Sequence, residues 1–233
     1  MHRLRKLRFL LVYPLVLWLF LSAHTTEFCL TLGAILVAMG VLVRCWANGY
    51  VGHVKVNWTQ HQRGDSPIGR LITGGPYAYV RHPLYLGTFL IGLGFCVIVG
   101  NVWLGAAAFG FFLLIYGRKM AQEERLLLDE LGDTYAAYHH AVPRWIPRLR
   151  RYPHRVGQWS WRGITASQEL KTVMWVIVFV LLLYFREELL QQHEPFWGRS
   201  WMKHLALLVI LVGLILVDGL LEFVKRRSKP APQ

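Results

Sequence analysis

Two short stretches hold most of the residues able to do chemistry. The first, 73–87, reads TGGPYAYVRHPLYLG. Its glycines and first proline make a turn. Pro83 opens a helix, where a missing N–H costs nothing. Tyr77, Tyr79, Arg81, His82 and Tyr85 cluster around that start. A helix N-terminus presents unpaired N–H groups and partial positive charge, so a carboxylate can dock there. The second stretch, 118–147, reads RKMAQEERLLLDELGDTYAAYHHAVPRWIP. Glu123 and Glu124 follow Arg118 and Lys119 by about one helical turn, with Lys119 and Glu123 at i, i+4 spacing. Taken alone, those charges would be ion pairs on a solvated helix face.

The apolar segments between the two stretches bring them together. Segments 84–99 and 102–116 are joined only by Gly100 and Asn101, which requires a tight helical hairpin. Its open end then collects N–H groups, aromatic rings, a histidine, two carboxylates and two cations. Polar groups clustered at membrane depth are costly unless used. Such a corner suits a ligand with a carboxylate, an ammonium group, a sugar and a flat ring, and S-adenosylmethionine is one. Leu126, Leu127, Leu131, Tyr135 and Tyr138 recur at helical spacing and predict an amphipathic surface helix after the hairpin. Gly105, Ala106, Ala107, Ala108 and Gly110 give the fourth apolar segment a small face, expected to serve close helix packing.

Composition defines the setting of this corner. The 233 residues are 55% hydrophobic and 17% charged, with a mean hydropathy of +0.35, which excludes disorder. Three cysteines, Cys29, Cys45 and Cys96, lie in or beside apolar runs and give neither a disulfide framework nor a CxxC metal pair. Six segments approach the roughly 20 apolar residues that a membrane helix needs: 9–22, 28–43, 84–99, 102–116, 172–185 and 204–223. The first starts like a secretory signal. It is followed by His24, Thr25, Thr26 and Glu27 with no convincing cleavage site, and is read as a retained helix. With the N-terminus in the cytoplasm, 23 of the 26 Lys and Arg fall on the cytoplasmic side, leaving Arg186, Arg199 and Lys203 outside. The positive-inside rule then puts both termini in the cytoplasm of a cell (inner) membrane protein. The net charge of +13 is assigned to basic loops facing an anionic bilayer, not to nucleic acid. The basic, aromatic segment 143–163 reads as an interfacial linker to a final helix pair.

The expected fold is therefore all-α, a polytopic membrane bundle of about six transmembrane helices with a cytoplasmic amphipathic helix after the fourth. Residues 1–43 would form an N-terminal helix pair and 44–148 the core that carries the chemistry. Residues 149–233 would hold the basic linker and a C-terminal helix pair.

GPYAYVRHPLYLG, then EERLLLDELGDTYAAY, then VPRWIP, closely resembles the isoprenylcysteine carboxyl methyltransferase family, a relative of membrane phospholipid N-methyltransferases. Both main blocks occur in order with a hairpin between them, and a weaker part appears upstream in VRCWANGYVG. The resemblance covers about 43–147. It implies a membrane-embedded, S-adenosylmethionine-dependent methyltransferase with a lipophilic small-molecule or lipid acceptor and no metal. By the same resemblance, Tyr77, His82, Pro83, Leu84 and Tyr85 match the cofactor motif. Gly69, Arg70, Leu71 and Ile72 match a segment lining the same pocket, and Gln62 matches a position upstream of it. Glu123 matches a carboxylate that contacts the cofactor, with Glu124 beside it. Lys119 stands where carboxyl methyltransferases place a substrate-orienting arginine, and Arg118 is adjacent. That departure leaves the acceptor open. Arg144 matches a further family position.

A carboxylate acceptor needs a cation to orient it and no base, whereas an amine must first lose a proton, with Glu124, His82 or His139 as candidate bases. His139 and His140 are expected on the exposed face of the surface helix. Gly92-Leu93-Gly94 lies in an apolar helix without a third glycine and is read as packing, not as a dinucleotide turn. A transporter or scaffold is the non-catalytic alternative, but no repeat and no mid-membrane charge in the first five segments favours it. Asp218 is assigned to the interface.

Overall fold

The computed structural model describes residues 25–51, 71–166, 169–190 and isolated positions between 205 and 216. The first apolar segment and the positions Gln62, Gly69 and Arg70 lie outside the described residues, as does Asp218. Every regular element among the described residues is helical. Helix α1 is Glu27–Val51, and a short 3₁₀ turn covers Gly75–Ala78. Then come α2 (Pro83–Val99), α3 (Val102–Leu131), α4 (Asp133–Ala141), α5 (Trp161–Ala166) and α6 (Glu169–Leu190). The chain through Glu169 makes one compact unit and residues from Leu170 make a second. Among the described residues, α1 and α3 are long and apolar enough to cross a membrane, and α2 is a shorter apolar helix.

Helices α1 and α2 pack antiparallel through two reciprocal glycine pairs. A Cβ on Gly33 would sit 2.6 Å from the Gly94 carbonyl oxygen, and one on Gly94 would sit 2.6 Å from that of Gly33. Seven residues along, Gly40 and Gly87 face each other the same way, at 2.6 and 2.7 Å. Only glycine allows backbones this close. Gly94 is therefore a packing residue, as the sequence implies, and its neighbour Gly92 faces open space. Because the helices are antiparallel, the C-terminal end of α1 lies beside the start of α2.

The hairpin between α2 and α3 forms as expected. Gly100 takes the left-handed conformation at φ 72°, and the Asn101 side chain caps α3 by accepting from the Leu104 N–H at 3.0 Å. Small residues do not make the contact between the two helices. A Cβ on Gly110 would meet nothing within 4 Å, one on Gly105 would meet only Cys96, and Ala106 and Ala107 are exposed. Aromatic rings make it instead: Phe89 of α2 packs against Phe109 and Phe112 of α3 at centroid distances of 5.2 and 5.3 Å.

Helix α3 also departs from the expected separation into a span and a surface helix. It runs unbroken for 30 residues, about 45 Å at 1.5 Å per residue, well beyond the ~30 Å apolar layer of a bilayer. Residues 118–131 contain no Pro or Gly and are rich in Leu, Glu, Arg, Lys and Gln, so nothing interrupts the helix. Its apolar part ends near Gly117, and the charged part projects past it. Gly132, at φ 51°, makes the break, and α4 turns back. Tyr135 and Tyr138 are thereby buried with Ala78, Val142 and Tyr152, against Leu127 and Leu131. Of the five residues expected on one face, Leu126 stands outside this core.

The linker after α4 binds the turn before α2. The Arg81 N–H donates to Pro143 O (2.9 Å), Arg148 N–H to Tyr79 O (3.0 Å) and Tyr152 N–H to Ala78 O (3.0 Å). Thr73 and Gly74 N–H groups both donate to Val156 O, and the Arg148 guanidinium donates to carbonyls of Ala141, Arg150 and Arg151. The linker is a strap holding 73–82 in place. Trp145 reaches Phe112 in the apolar part of α3, at 6.3 Å between ring centroids.

Candidate active site

The start of α2 and the charged part of α3 meet at the open end of the hairpin. The Tyr85 hydroxyl donates to Glu123 Oε1 at 2.6 Å, and His82 Nδ1 lies 3.9 Å from Glu123 Oε2. His82 Nε2 reaches Glu124 Oε1 at 2.9 Å. The two adjacent carboxylates thus hold the two ring nitrogens of one histidine between them. The rings of His82, Tyr85 and Tyr116 follow one another at centroid distances of 5.7 and 5.3 Å. Lys119 Nζ stands 5.4 Å from the centre of the Tyr85 ring, a cation–π distance.

Glu123 and Glu124 differ sharply in surroundings. Glu124 is 3% exposed and is encircled by cations. Arg144 makes a forked pair with it, through Nε at 3.0 Å and through Nη2. Arg81 Nη1 lies 3.2 Å from Oε1, close enough for charge attraction but not aligned as a hydrogen bond. His139 Nε2 lies 3.6 Å from Oε2. Burial alone would raise the Glu124 pKa, but the His82 and Arg144 hydrogen bonds and the Arg81 charge outweigh it and hold the carboxyl below its usual range. Glu123, with its side chain 30% exposed, keeps Oε2 free of any hydrogen bond among the described residues. Of the two, Glu123 is the carboxylate available to a ligand. Glu124 organises His82, Arg81 and Arg144.

Tyr77 completes the corner from the 3₁₀ turn. Its carbonyl accepts from the Tyr138 hydroxyl at 2.8 Å, which anchors the turn to α4. Burial pushes the Tyr77 phenol up, and the Glu123 charge adds to this while Arg44 offsets it. The Tyr135 phenol is pushed up to about 12 by burial and by Glu124, with Arg81 opposing.

The structure brings Tyr77, His82, Tyr85, Lys119, Glu123 and Glu124 together. Pro83 is buried as the first residue of α2, and Leu84 sits in the same first turn. Arg118 is exposed on α3. Leu71 and Ile72 precede the 3₁₀ turn, and Leu71 lines a cavity with Thr73, Leu131, Thr134, Tyr152, His154 and Val156. His140 is exposed, but His139 is turned in toward Glu124, contrary to expectation, because α4 folds back after Gly132. Burial, then the Arg81 charge, push the His139 pKa down. Sequence reasoning misses Arg81 and Arg144 as partners of Glu124. Their signal is an acid matched by basic residues in the neighbouring blocks. It also misses Arg44 and Glu169 as a pair. Among the described residues, no group of three or more His, Cys, Asp or Glu is arranged to hold a metal ion.

Residues 32–129 match the Isoprenylcysteine carboxyl methyltransferase (ICMT) family. The chain is 38% identical over 80 residues to the protein-S-isoprenylcysteine O-methyltransferase of Schizosaccharomyces pombe, covering 34% of each chain. It is 30% identical over 136 residues to the enzyme of that name from Dictyostelium discoideum, covering 57% of this chain and 55% of the other. It is also 30% identical over 123 residues to the cobalt-zinc-cadmium resistance protein CzcN of Cupriavidus metallidurans, covering 53% and 51%. The chain thus spans a third to about half the length of these relatives. No solved structure matches it. The stretch that matches this family, residues 32–129, carries Tyr77, His82, Tyr85, Glu123 and Glu124.

Proposed function

We propose that this chain is an integral membrane methyltransferase that moves a methyl group from S-adenosylmethionine to a carboxylate, or other nucleophile, of a lipophilic acceptor at the cytoplasmic membrane face. The observation that carries the reading is the meeting of His82 and Tyr85 with Glu123 and Glu124 at one end of a helical hairpin. The names of the relatives support it.

The donor set fits the cofactor. Helix α2 begins at Pro83 without a side-chain cap, so its first-turn N–H groups are open to a carboxylate. Glu123 Oε2 can take an ammonium group or sugar hydroxyls, and Tyr77 and Tyr85 give flat walls. When bound, S-adenosylmethionine supplies an electrophilic methyl group. Gln62, Gly69, Arg70, Leu71 and Ile72 are proposed to complete the pocket. Lys119, with Arg118 beside it, orients the acceptor carboxylate over Tyr85. Positioning of this kind is worth up to about 7–11 kcal/mol in ideal cases. Joining a cation to an anion gives neutral products, so excluding water at the membrane edge favours the step. Glu124, saturated by Arg81, His82 and Arg144, acts as a positioning residue and not as a base.

In this reading the core 44–148 carries the chemistry within a six-span protein of the cell (inner) membrane. Residues 1–43 and 149–233 flank it, and both termini are cytoplasmic. Mass spectrometry of lipids and small molecules from cells with and without the protein, fed methyl-labelled methionine, tests the function. A labelled species that depends on the protein and releases methanol in alkali is the expected result. A label that resists alkali would assign an amine headgroup instead, and no protein-dependent label would overturn the proposal.

A further inference from the structure

Arg44 lies in the last two turns of α1, and its side chain is 17% exposed. Its partner Glu169 opens α6 and is 2% exposed. Arg44 Nε donates to Glu169 Oε1 at 2.6 Å and Nη2 to Oε2 at 2.9 Å, a forked pair. Asn48 Nδ2 adds a third donor to Glu169 Oε2 at 2.8 Å. A charge in such an apolar helix is costly and marks function by default. A buried ion pair alone adds little net stability over apolar packing.

The remaining arm of Arg44 reaches the first turns of α2. Nη1 donates to Thr88 Oγ1 at 2.6 Å and lies 3.5 Å from Leu84 O. The Thr88 hydroxyl in turn donates to Leu84 O at 2.9 Å. Leu84 precedes Tyr85, whose hydroxyl holds Glu123. Gly87 makes the approach feasible, since a Cβ there would fall 2.5 Å from Arg44 Cγ. Glu169 fixes the guanidinium plane, and the plane fixes the Thr88–Leu84 turn.

We infer that Arg44 is a positioning residue for the proposed active site, holding the first turn of α2 through Thr88 and Leu84 with Glu169 as its counter-charge. The inference rests on the methyltransferase reading of that site. Thr88→Val keeps the volume and removes the hydroxyl, whereas Thr88→Ser keeps the hydroxyl and loses a methyl group. Calorimetry of S-adenosylmethionine binding to the full chain in detergent separates the two. Thr88→Val and Glu169→Gln weaken binding about tenfold, as expected for a lost charged hydrogen bond, and Thr88→Ser stays within about twofold of wild type. A role in packing alone would spare Val and penalise Ser, and that pattern overturns the inference. So does unchanged binding by Thr88→Val beside a binding wild type, which leaves the site assignment standing. A folded wild type that binds no S-adenosylmethionine overturns both. If Glu169→Gln does not fold, the Thr88 pair decides alone.

Discussion

The Tyr85 hydroxyl donates to Glu123 Oε1 at 2.6 Å, joining residues 38 positions apart at the open end of the α2–α3 hairpin. The two-residue turn at Gly100 and Asn101 makes this meeting possible. The bond leaves Glu123 Oε2 to face a ligand. Tyr85→Phe keeps the ring and frees Glu123 to move. We expect S-adenosylmethionine affinity to fall about tenfold, the usual weight of a hydrogen bond to a charged group, with little change in melting temperature. Titration calorimetry in detergent measures it.

The two neighbouring glutamates should behave differently when neutralised. Glu124→Gln leaves Arg81, nearly buried, and Arg144, partly exposed, without their counter-charge. Removing one partner of a buried pair costs about 3–5 kcal/mol. Glu123 is partly exposed and holds no arginine among the described residues, so Glu123→Gln should cost about 0.5 kcal/mol or less in stability while weakening cofactor binding. Thermal unfolding of both variants, followed by circular dichroism, separates a structural carboxylate from a ligand-binding one. Equal destabilisation would contradict the division of roles.

Stability should fall with acid in two stages. The pKa of His139 is pushed below its ordinary 6.5 by burial and Arg81, and that of Glu124 is held below its ordinary 4.5 by His82, Arg144 and Arg81 against burial. In both cases the unfolded chain binds the proton more readily, so stability is complete above the ordinary value and is lost as pH falls. His139 acts first, below about pH 6.5, and Glu124 below about pH 4.5. His139→Gln should flatten the drop in melting temperature between about pH 7 and 5.5. A drop as steep as in wild type would remove His139 from that stage.

Close packing of α1 on α2 makes a further contrast. Gly40→Ala or Gly87→Ala puts a methyl group 2.6–2.7 Å from a facing carbonyl oxygen. Overpacking of this kind costs about 1–3 kcal/mol. Gly110→Ala meets nothing within 4 Å and should be neutral or slightly stabilising. Melting temperatures in detergent give the comparison.

The hairpin and the meeting of its flanking stretches are legible in the sequence because a two-residue link between apolar runs leaves little choice of geometry. The charged part of α3 reads as a separate helix because amphipathic spacing does not say where one helix stops; only Gly132 does. Composition points to the stripe 105–110 for packing, yet Gly33, Gly40, Gly87 and Gly94 make the close contact, since close approach depends on which face meets a neighbour. The pairing of Arg44 with Glu169 is hidden by separation, because no local pattern links residues 125 positions apart. Charge counting places Arg44 among the loop cations, whereas α1 continues through it to Val51.

Binding of S-adenosylmethionine at the end of the hairpin is proposed to run through His82 and Glu123. The direct test is binding of the radiolabelled cofactor to purified, helical protein in detergent, for wild type, His82→Ala and Glu123→Gln. Wild type should bind saturably, with displacement by S-adenosylhomocysteine, and both variants should bind at least about tenfold more weakly. Absence of binding by folded wild type, or equal binding by all three, would contradict it.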